Sequence, residues 1–203
     1  QNAADSTYNG NGDIVVFKMN ATGTGLVYST YFGGSNGEPI SEIAINDAGE
    51  SYVVCMTNSV DFPTMNAYND TLNVEWDLAI FKLSSTGNEV CYSTFVGGSG
   101  VDDIQDTEID LDIAGNIYVG CTTNSDDFPM VDAYNSTYGG NSDCVVVKLA
   151  DNTDSDGDLL GNYFEDLFGT DRYNNDTDFD LMPDGWEVLC GFNPLVDDSS
   201  GDP

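Results

Sequence analysis

The segment VYSTYFGGS at residues 27–35 recurs as CYSTFVGGS at residues 91–99, and this repetition decides the fold. Valine, tyrosine, phenylalanine and threonine favour strands, and the glycine pair that follows favours a turn. The same strand–turn segment returns after 64 residues. A long exact spacing of this kind indicates a chain built from repeated supersecondary units.

The flanking segments recur in the same order. DIVVFKM at residue 13 returns as DLAIFKL at residue 77 and as DCVVVKL at residue 143. DAGESYVVCMTNSVDFPTMNAYN (residues 47–69) returns as IAGNIYVGCTTNSDDFPMVDAYN (residues 113–135). In the middle copy the pattern predicts strands at roughly residues 42–46, 51–57, 77–83 and 89–96. The DFP triplets carry prolines that exclude ladder pairing, so we expect surface loops there.

These segments resemble the SBBP-type beta-propeller repeat over about residues 11–150. The resemblance implies four-stranded blades on a secreted or cell-surface protein, usually without catalytic activity. The expected fold class is therefore all-β, with about two and a third propeller-like blades in residues 1–150. Closed propellers typically need four to eight blades. Either the chain is part of a larger parent, or the blades stay open or are completed by a neighbouring molecule.

The charge of the chain narrows the classes of partner. The 203 residues carry 36 acidic and 4 basic side chains, a net charge of −32, and no histidine. Binding to nucleic-acid phosphates or anionic lipid needs basic residues, so neither partner is expected. No apolar run reaches the length of a membrane span. Hard cations, which prefer oxygen ligands, are the natural partners of so many carboxylates.

The region after residue 150 contains two acidic windows in the same register. DSDGDLLGNYFE (residues 154–165) and DTDFDLMPDGWE (residues 176–187) place oxygen side chains at positions 1, 3, 5, 9 and 12. That is the ligand spacing of an EF-hand-like calcium loop, with a backbone carbonyl at position 7. The predicted Ca²⁺ ligands are Asp154, Asp156, Asp158, Leu160, Asn162 and Glu165, and Asp176, Asp178, Asp180, Met182, Asp184 and Glu187. The usual glycine at position 6 is replaced by Leu159 and Leu181, which puts the standard turn in doubt.

Residues 151–203 are expected to form a small calcium-binding loop–helix module. Short helices are predicted around the closing glutamates, with Gly169 and Gly191 as C-terminal caps. Residues 151–200 resemble thrombospondin type 3-like calcium repeats, through the paired windows, FGTD and PDGWEVLCGFNPLVDD. A third window would begin at Asp198, so we expect the natural chain to continue past Pro203.

Cysteines and glycosylation sequons give weaker predictions. A disulfide between Cys121 and Cys144 is possible, because both fall near facing ends of neighbouring predicted strands. An odd count of five cysteines leaves at least one thiol free or intermolecular. Sequons at Asn20, Asn69, Asn135 and Asn175 are candidate glycosylation sites in predicted turns and loops.

These observations favour a secreted, non-enzymatic structural or adhesive protein of the cell surface, stabilised by calcium. Unpaired blade edges could be covered by a neighbour's strand, and a head-to-tail contact that does not close makes a filament. One alternative is a monomeric glycan- or protein-binding module that uses the DFP loops. A hydrolase fragment with paired carboxylates is the other alternative.

Overall fold

A computed structural model describes residues 3–39, 41–73, 76–112, 115–150, 155–161, 164–165 and 168–197, without the side chains of residues 103–106. The chain forms two compact units. The first consists of Gln1–Leu111 and Ile117–Lys148, and the second of Asp112–Asn116 and Leu149–Pro203. Each unit is described by itself below.

The first unit is a succession of short antiparallel strands. They are β1 (Ile14–Met19), β2 (Leu26–Phe32), β3 (Ser41–Ile45), β4 (Ser51–Thr57), β5 (Asp77–Leu83), β6 (Val90–Val96), β7 (Asp102–Leu111), β8 (Ile117–Thr123) and β9 (Asp143–Leu149). In the middle copy the strands begin and end within one residue of the positions that the repeat predicts.

The strands group into three sheets, and within each sheet strands that are consecutive in the sequence pair with each other. The first sheet is β1-β2, the second is β3-β4-β5-β6 and the third is β7-β8-β9. The second sheet is therefore the complete four-strand unit. The two strands of the first sheet are copies of β5 and β6, and the three strands of the third sheet are copies of β3, β4 and β5. The expected all-β, propeller-like repeat fold is confirmed, with 35% of the chain in strands and 6% in helix.

The repeat extends to the register of the hydrogen-bonded ladders. In the first sheet Lys18 lies opposite Tyr28, and the register then shifts so that Met19 faces Leu26. In the second sheet Lys82 lies opposite Tyr92, and an equivalent shift makes Leu83 face Val90. The same bulge recurs at the same repeat position because the local sequence is the same on both strands.

Every repeat has two faces, which we name by their residues in β5. The front face carries Leu78 and Ile80, and the back face carries Ala79, Phe81 and Leu83. In the second sheet all five side chains are buried, so both of its faces are covered.

The first sheet packs its front face on the back face of the second. One hydrophobic core contains Ile14, Val16, Tyr28 and Phe32 of the first sheet together with the back-face residues of the second. The rings of Phe32 and Phe81 are 4.2 Å apart between centroids. Phe62 of the first DFP triplet meets Phe32 edge-on at 5.2 Å. This triplet therefore contributes a core residue, which corrects the expectation of a purely surface loop.

The third sheet buries its back face, whereas the first sheet buries its front face. Its buried residues include Val119, Cys121 and Val145, the repeat equivalents of Val53, Cys55 and Ala79 on the back face. Its front-face residues Cys144 and Val146 are exposed. Strand β7 contacts β3, β4 and β5 of the second sheet. The three sheets thus stack in one direction, front face on back face at each step.

Most described residues of the second unit lie in turns and loops. Helix α1 (Asp184–Cys190) is confirmed where the sequence predicts it, and Gly191 ends it in the left-handed conformation with φ 83°. Gly169 has the same φ of 83° and donates its N–H to the carbonyl of Glu165. Among the described residues, no helix is long and apolar enough to cross a membrane.

Candidate functional site

The second acidic window brings its first three carboxylates together. One carboxylate oxygen from each of Asp176, Asp178 and Asp180 lies within 4.8 Å of the others. Asp176 accepts hydrogen bonds from the N–H groups of Asp180 (3.1 Å) and Leu181 (2.9 Å). These bonds curl the loop around its own first residue. Glu187, the closing residue of the window, is buried in α1.

The first window is described in part. Asp158, Leu160 and Glu165 are buried and Asp156 is half-buried, whereas Asp154 and Asn162 lie outside the described residues. Asp158 accepts the N–H of Leu160 at 2.7 Å, and Asp180 accepts the N–H of Met182 at 2.8 Å. The two windows therefore share a hydrogen bond from position 7 to position 5. The third window, which the sequence begins at Asp198, also lies outside the described residues.

The two windows have the same backbone conformation at position 6. Leu159 has φ 77° and Leu181 has φ 76°, so both leucines adopt the left-handed conformation that glycine occupies in an EF-hand loop. That conformation costs a non-glycine residue roughly 1–2 kcal/mol. Replacement of the usual glycine therefore does not prevent the left-handed conformation at position 6.

Asp184 at position 9 has a different role from the first three acids. Its two carboxylate oxygens accept the N–H of Thr177 at 2.8 Å and the hydroxyl of Thr177 at 2.6 Å. These contacts fasten the start of α1 to the start of the loop. Within the described residues Asp184 is not one of the three clustered carboxylates. As position 9 often acts through water in such loops, the hydrogen bonds leave its predicted role untested.

The two windows are joined at Gly185. Its N–H donates to Asp158 at 2.7 Å, so the first loop rests on the first turn of α1. A Cβ at this position would lie 2.6 Å from the backbone nitrogen of Leu160. Only glycine allows this approach, which the ligand spacing alone does not reveal.

The chemistry of the second window fits a hard cation. The clustered donors are carboxylate oxygens, the ligands that Ca²⁺ prefers. Desolvation raises the pKa of Asp178, and the neighbouring charges of Asp180, Asp176 and Asp197 raise it further. A divalent cation would reverse this repulsion.

A second group of acids surrounds the glycine pairs of the repeat. Asp61 and Asp127, from the two DFP triplets, accept the N–H groups of Ser35 (2.9 Å) and Ser99 (2.7 Å). These backbone hydrogen bonds lower the pKa of both carboxyls. The DFP triplet is thus tied to the preceding glycine turn in both repeats.

Deeper in each turn, a buried acid holds the end of a strand. Glu38 Oε1 accepts the hydroxyls of Thr57 (2.8 Å) and Ser59 (2.6 Å). Asp102 Oδ1 accepts the hydroxyls of Thr123 (2.5 Å) and Ser125 (3.0 Å). The repeat pattern and the calcium-loop spacing do not single out these two acids. The signal that could have found them is that Glu38 and Asp102 follow the glycine pair at the same distance.

Cys121 and Cys144 are both free thiols in this structure, so the disulfide that the sequence allows between them is not formed. Cys121 is buried and Cys144 is exposed. Burial raises the pKa of the Cys121 thiol to about 12. The sequon asparagines Asn20, Asn135 and Asn175 are exposed and Asn69 is half-buried.

The comparisons with known proteins bear on the repeat. Residues 92–129 match the family model of the SBBP beta-propeller repeat. The matched stretch runs from β6 through β7 and β8 to the second DFP triplet. No curated protein matches this chain. The resemblance of residues 151–200 to thrombospondin type 3 repeats stays a prediction.

Proposed function

We propose that this chain is a non-enzymatic structural or adhesive protein of the extracellular surface, which associates head to tail and is stiffened by calcium in its second unit. The observation that carries the proposal is the pair of uncovered faces on the repeat unit. The first sheet exposes Val15 and Phe17 of its back face, and the third exposes Val146 of its front face. These are the two kinds of face that pack together inside the unit.

The uncovered faces are complementary for a physical reason. Phe17 is 57% exposed, while its repeat equivalent Phe81 is fully buried against a front face. Apolar surface of this kind is stabilised by removal from water, at about 25 cal/mol per Å². A front face from a second copy would cover Phe17 as the first sheet covers Phe81. Because the contact joins two different faces, it is heterologous and propagates unless it closes into a ring.

The edges of the incomplete sheets support the same proposal. Strand β5 has hydrogen-bonded neighbours on both sides, whereas β1 pairs with β2 alone and β9 with β8 alone among the described strands. An uncovered strand edge is a template for a strand from another molecule. Strand complementation and face-to-face stacking would therefore act at the same ends of the repeat unit.

Association is tested by sedimentation velocity over a range of protein concentrations, with negative-stain microscopy of the concentrated sample. We expect oligomers that grow with concentration, and we expect Phe17→Asp to weaken them. Val60→Asp is the matched control, because Val60 is an exposed valine of a loop rather than of either face. A wild-type protein that stays monomeric at all concentrations would contradict the proposal.

Calcium in the second unit is tested by limited proteolysis and thermal melting with and without chelator. The three clustered aspartates support a bound cation, because Ca²⁺ prefers carboxylate oxygens as ligands. We expect chelator to expose this unit to protease, and the double substitution Asp176→Asn with Asp178→Asn to have the same effect. Asp47→Asn removes a charge from an exposed turn and is the control. Equal protection with and without chelator would exclude the calcium role.

A glycan-binding function is the second candidate, favoured by two exposed tyrosines at one repeat position. Tyr68 and Tyr134 follow the two DFP triplets and are both exposed. Tyrosine offers a flat apolar body with a polar tip, which suits it to binding surfaces. Saturable binding of the monomer on a glycan array, lost in Tyr134→Ala, would support this candidate.

A further inference from the structure

Each glycine turn of the repeat holds two carboxylates that point to one place. We call them the glycine-turn pairs: Asp13 with Glu38 beside Gly33, and Asp77 with Asp102 beside Gly97. Asp13 lies just before β1 and Asp77 begins β5, and these are the third strands of their repeats. Glu38 and Asp102 each follow the glycine pair of the turn. The paired acids therefore lie where one sheet leads into the next.

The second pair is fully buried. Asp77 and Asp102 both have no exposed surface. A Cβ on Gly97 would lie 2.5 Å from Asp77 Oδ1 and 2.6 Å from Asp102 Oδ2, so both oxygens crowd the same side of this glycine. Asp102 Oδ2 accepts the N–H of Gly98 at 2.7 Å. Asp77 Oδ1 is buried and accepts no hydrogen bond.

The first pair repeats this arrangement with a longer acid. Glu38 Oε2 is the atom nearest to a Cβ placed on Gly33, and Asp13 Oδ1 lies 3.2 Å from the same point. Both of these oxygens are buried and accept no hydrogen bond. Glu38 as a whole is 6% exposed. Two copies of the repeat thus converge on one geometry although the residue changes from glutamate to aspartate.

The second carboxylate oxygen of Asp13 and that of Asp77 each accept a backbone hydrogen bond. Asp13 Oδ2 accepts the N–H of Asn9 at 2.9 Å, and Asp77 Oδ2 accepts the N–H of Asn73 at 3.0 Å. These bonds fix each carboxylate so that its second oxygen faces the partner acid. The unpartnered oxygens are therefore held in place by the fold.

The described residues supply no cation to these four carboxylates. Within the described part of the chain, none of the four carboxylates forms an ion pair, and Lys82 is paired with Glu50 at 3.0 Å. An ionised carboxylate buried without compensation is strongly unfavourable. Two carboxylates that share a buried place are therefore neutralised either by a proton that they share or by a bound cation.

We propose that each glycine-turn pair is a cation site of the Ca²⁺ class, separate from the acidic windows of the second unit. The donors that converge on each site are carboxylate oxygens, which suit a hard cation. A bound ion would join the start of β5 to the start of β7 at the second site, and so fasten the second sheet to the third. At the first site Asp13 and Glu38 would join the first sheet to the second in the same manner.

The proposal is tested by counting calcium ions bound to the full chain after gel filtration, by elemental analysis. We expect the double variant Glu38→Gln with Asp77→Asn to carry about two fewer ions than the wild type, and to lose calcium-dependent thermal stabilisation of its β-sheet circular dichroism. The second-unit variant Asp176→Asn with Asp178→Asn should keep both of these ions.

The third repeat supplies a matched control. Asp143 is the repeat equivalent of Asp77 and accepts the N–H of Gly139 at 2.6 Å, but the residues given after it contain no third GGS turn. Asp143→Asn should leave the ion count unchanged. An unchanged count in the Glu38/Asp77 variant would overturn the proposal. Loss of every ion in the second-unit variant would also overturn the proposal, because all bound calcium would then belong to the acidic windows of the second unit.

A measurement on the wild-type protein covers the case in which the variants do not fold. Crystals soaked in Tb³⁺, a hard-cation probe of similar size to Ca²⁺, should give anomalous peaks beside Gly33 and Gly97. The absence of a peak at both turns, with peaks elsewhere, would overturn the proposal. A neutron or pH-resolved structure with one proton shared between Asp77 and Asp102 and no metal at saturating calcium would also overturn it.

Discussion

Strands β1 and β5 are two copies of one sequence unit in two environments. IVVFKM and LAIFKL form the same strand with the same bulge, but every residue of β5 is buried and only Ile14 and Val16 are buried in β1. The difference lies in the neighbours, since β5 has a sheet on each face and β1 has one. The repeat sequence specifies the strand. The stacking of sheets decides how much of the strand is buried, and therefore how much it contributes to the stability of the fold.

The largest expected effect separates the two equivalent phenylalanines. Phe81→Ala should lower the free energy of unfolding by about 3–5 kcal/mol, because it leaves a cavity in a closed core. Phe17→Ala should change it by less than about 0.5 kcal/mol in the dilute monomer, as for an exposed side chain. Urea denaturation followed by circular dichroism measures both. If Phe17→Ala becomes costly as protein concentration rises, its face is covered by association.

The two faces of the third sheet can be compared through their thiols. Cys144 on the exposed face is accessible to iodoacetamide and should be labelled first at pH 8. Cys121 should react about a thousandfold more slowly than a thiol of pKa 9.0, because burial raises its pKa to about 12 and the thiolate fraction falls tenfold per unit. Peptide mass spectrometry of timed samples gives both rates. Protection of both residues until reductant is added would instead indicate the disulfide.

A smaller difference in stability is expected between two equivalent glycines, one in the first sheet and one in the second. Gly23 and Gly87 have φ 68° and 67°, but a Cβ on Gly87 would overlap the ring of Tyr28, whereas a Cβ on Gly23 would contact nothing. Gly23→Ala should cost only the left-handed strain, about 1 kcal/mol. Gly87→Ala should cost about 1–3 kcal/mol more, from overpacking against a buried ring. Equal midpoints in thermal melts would show that Tyr28 moves aside freely.

The smallest effect is expected at position 6 of the second acidic window. Leu181→Gly should raise the free energy of unfolding of the second unit by about 0.5–1 kcal/mol, because glycine adopts φ 76° without strain but loses more entropy on folding. Leu189→Gly inside α1 should lower it by about 1 kcal/mol. Fluorescence of Trp186 in a Trp76→Phe background reports on this unit. A loss of stability in Leu181→Gly would mean that the leucine side chain itself contributes.

Much of the candidate calcium site could be predicted from the spacing of its acids. The windows at residues 154–165 and 176–187 predict which carboxylates approach one another, and Asp176, Asp178 and Asp180 do so. The spacing could not predict that Asp184 is bound by Thr177 or that Gly185 carries the first loop. Both contacts depend on how the start of the helix packs on a loop. The spacing of acidic residues along the sequence carries no information about that packing.

The sequence by itself determined the strands, their order and the turns, because these depend on side-chain alternation and on local turn residues that repeat with the sequence. The tertiary structure decided which face of each sheet is buried, since burial is a property of two sheets in contact. It also decided that Asp77 and Asp102, 25 positions apart, share one buried place beside Gly97. A carboxylate on a strand end is ordinary in a sequence, and it becomes a candidate site only when the fold buries a second carboxylate beside it.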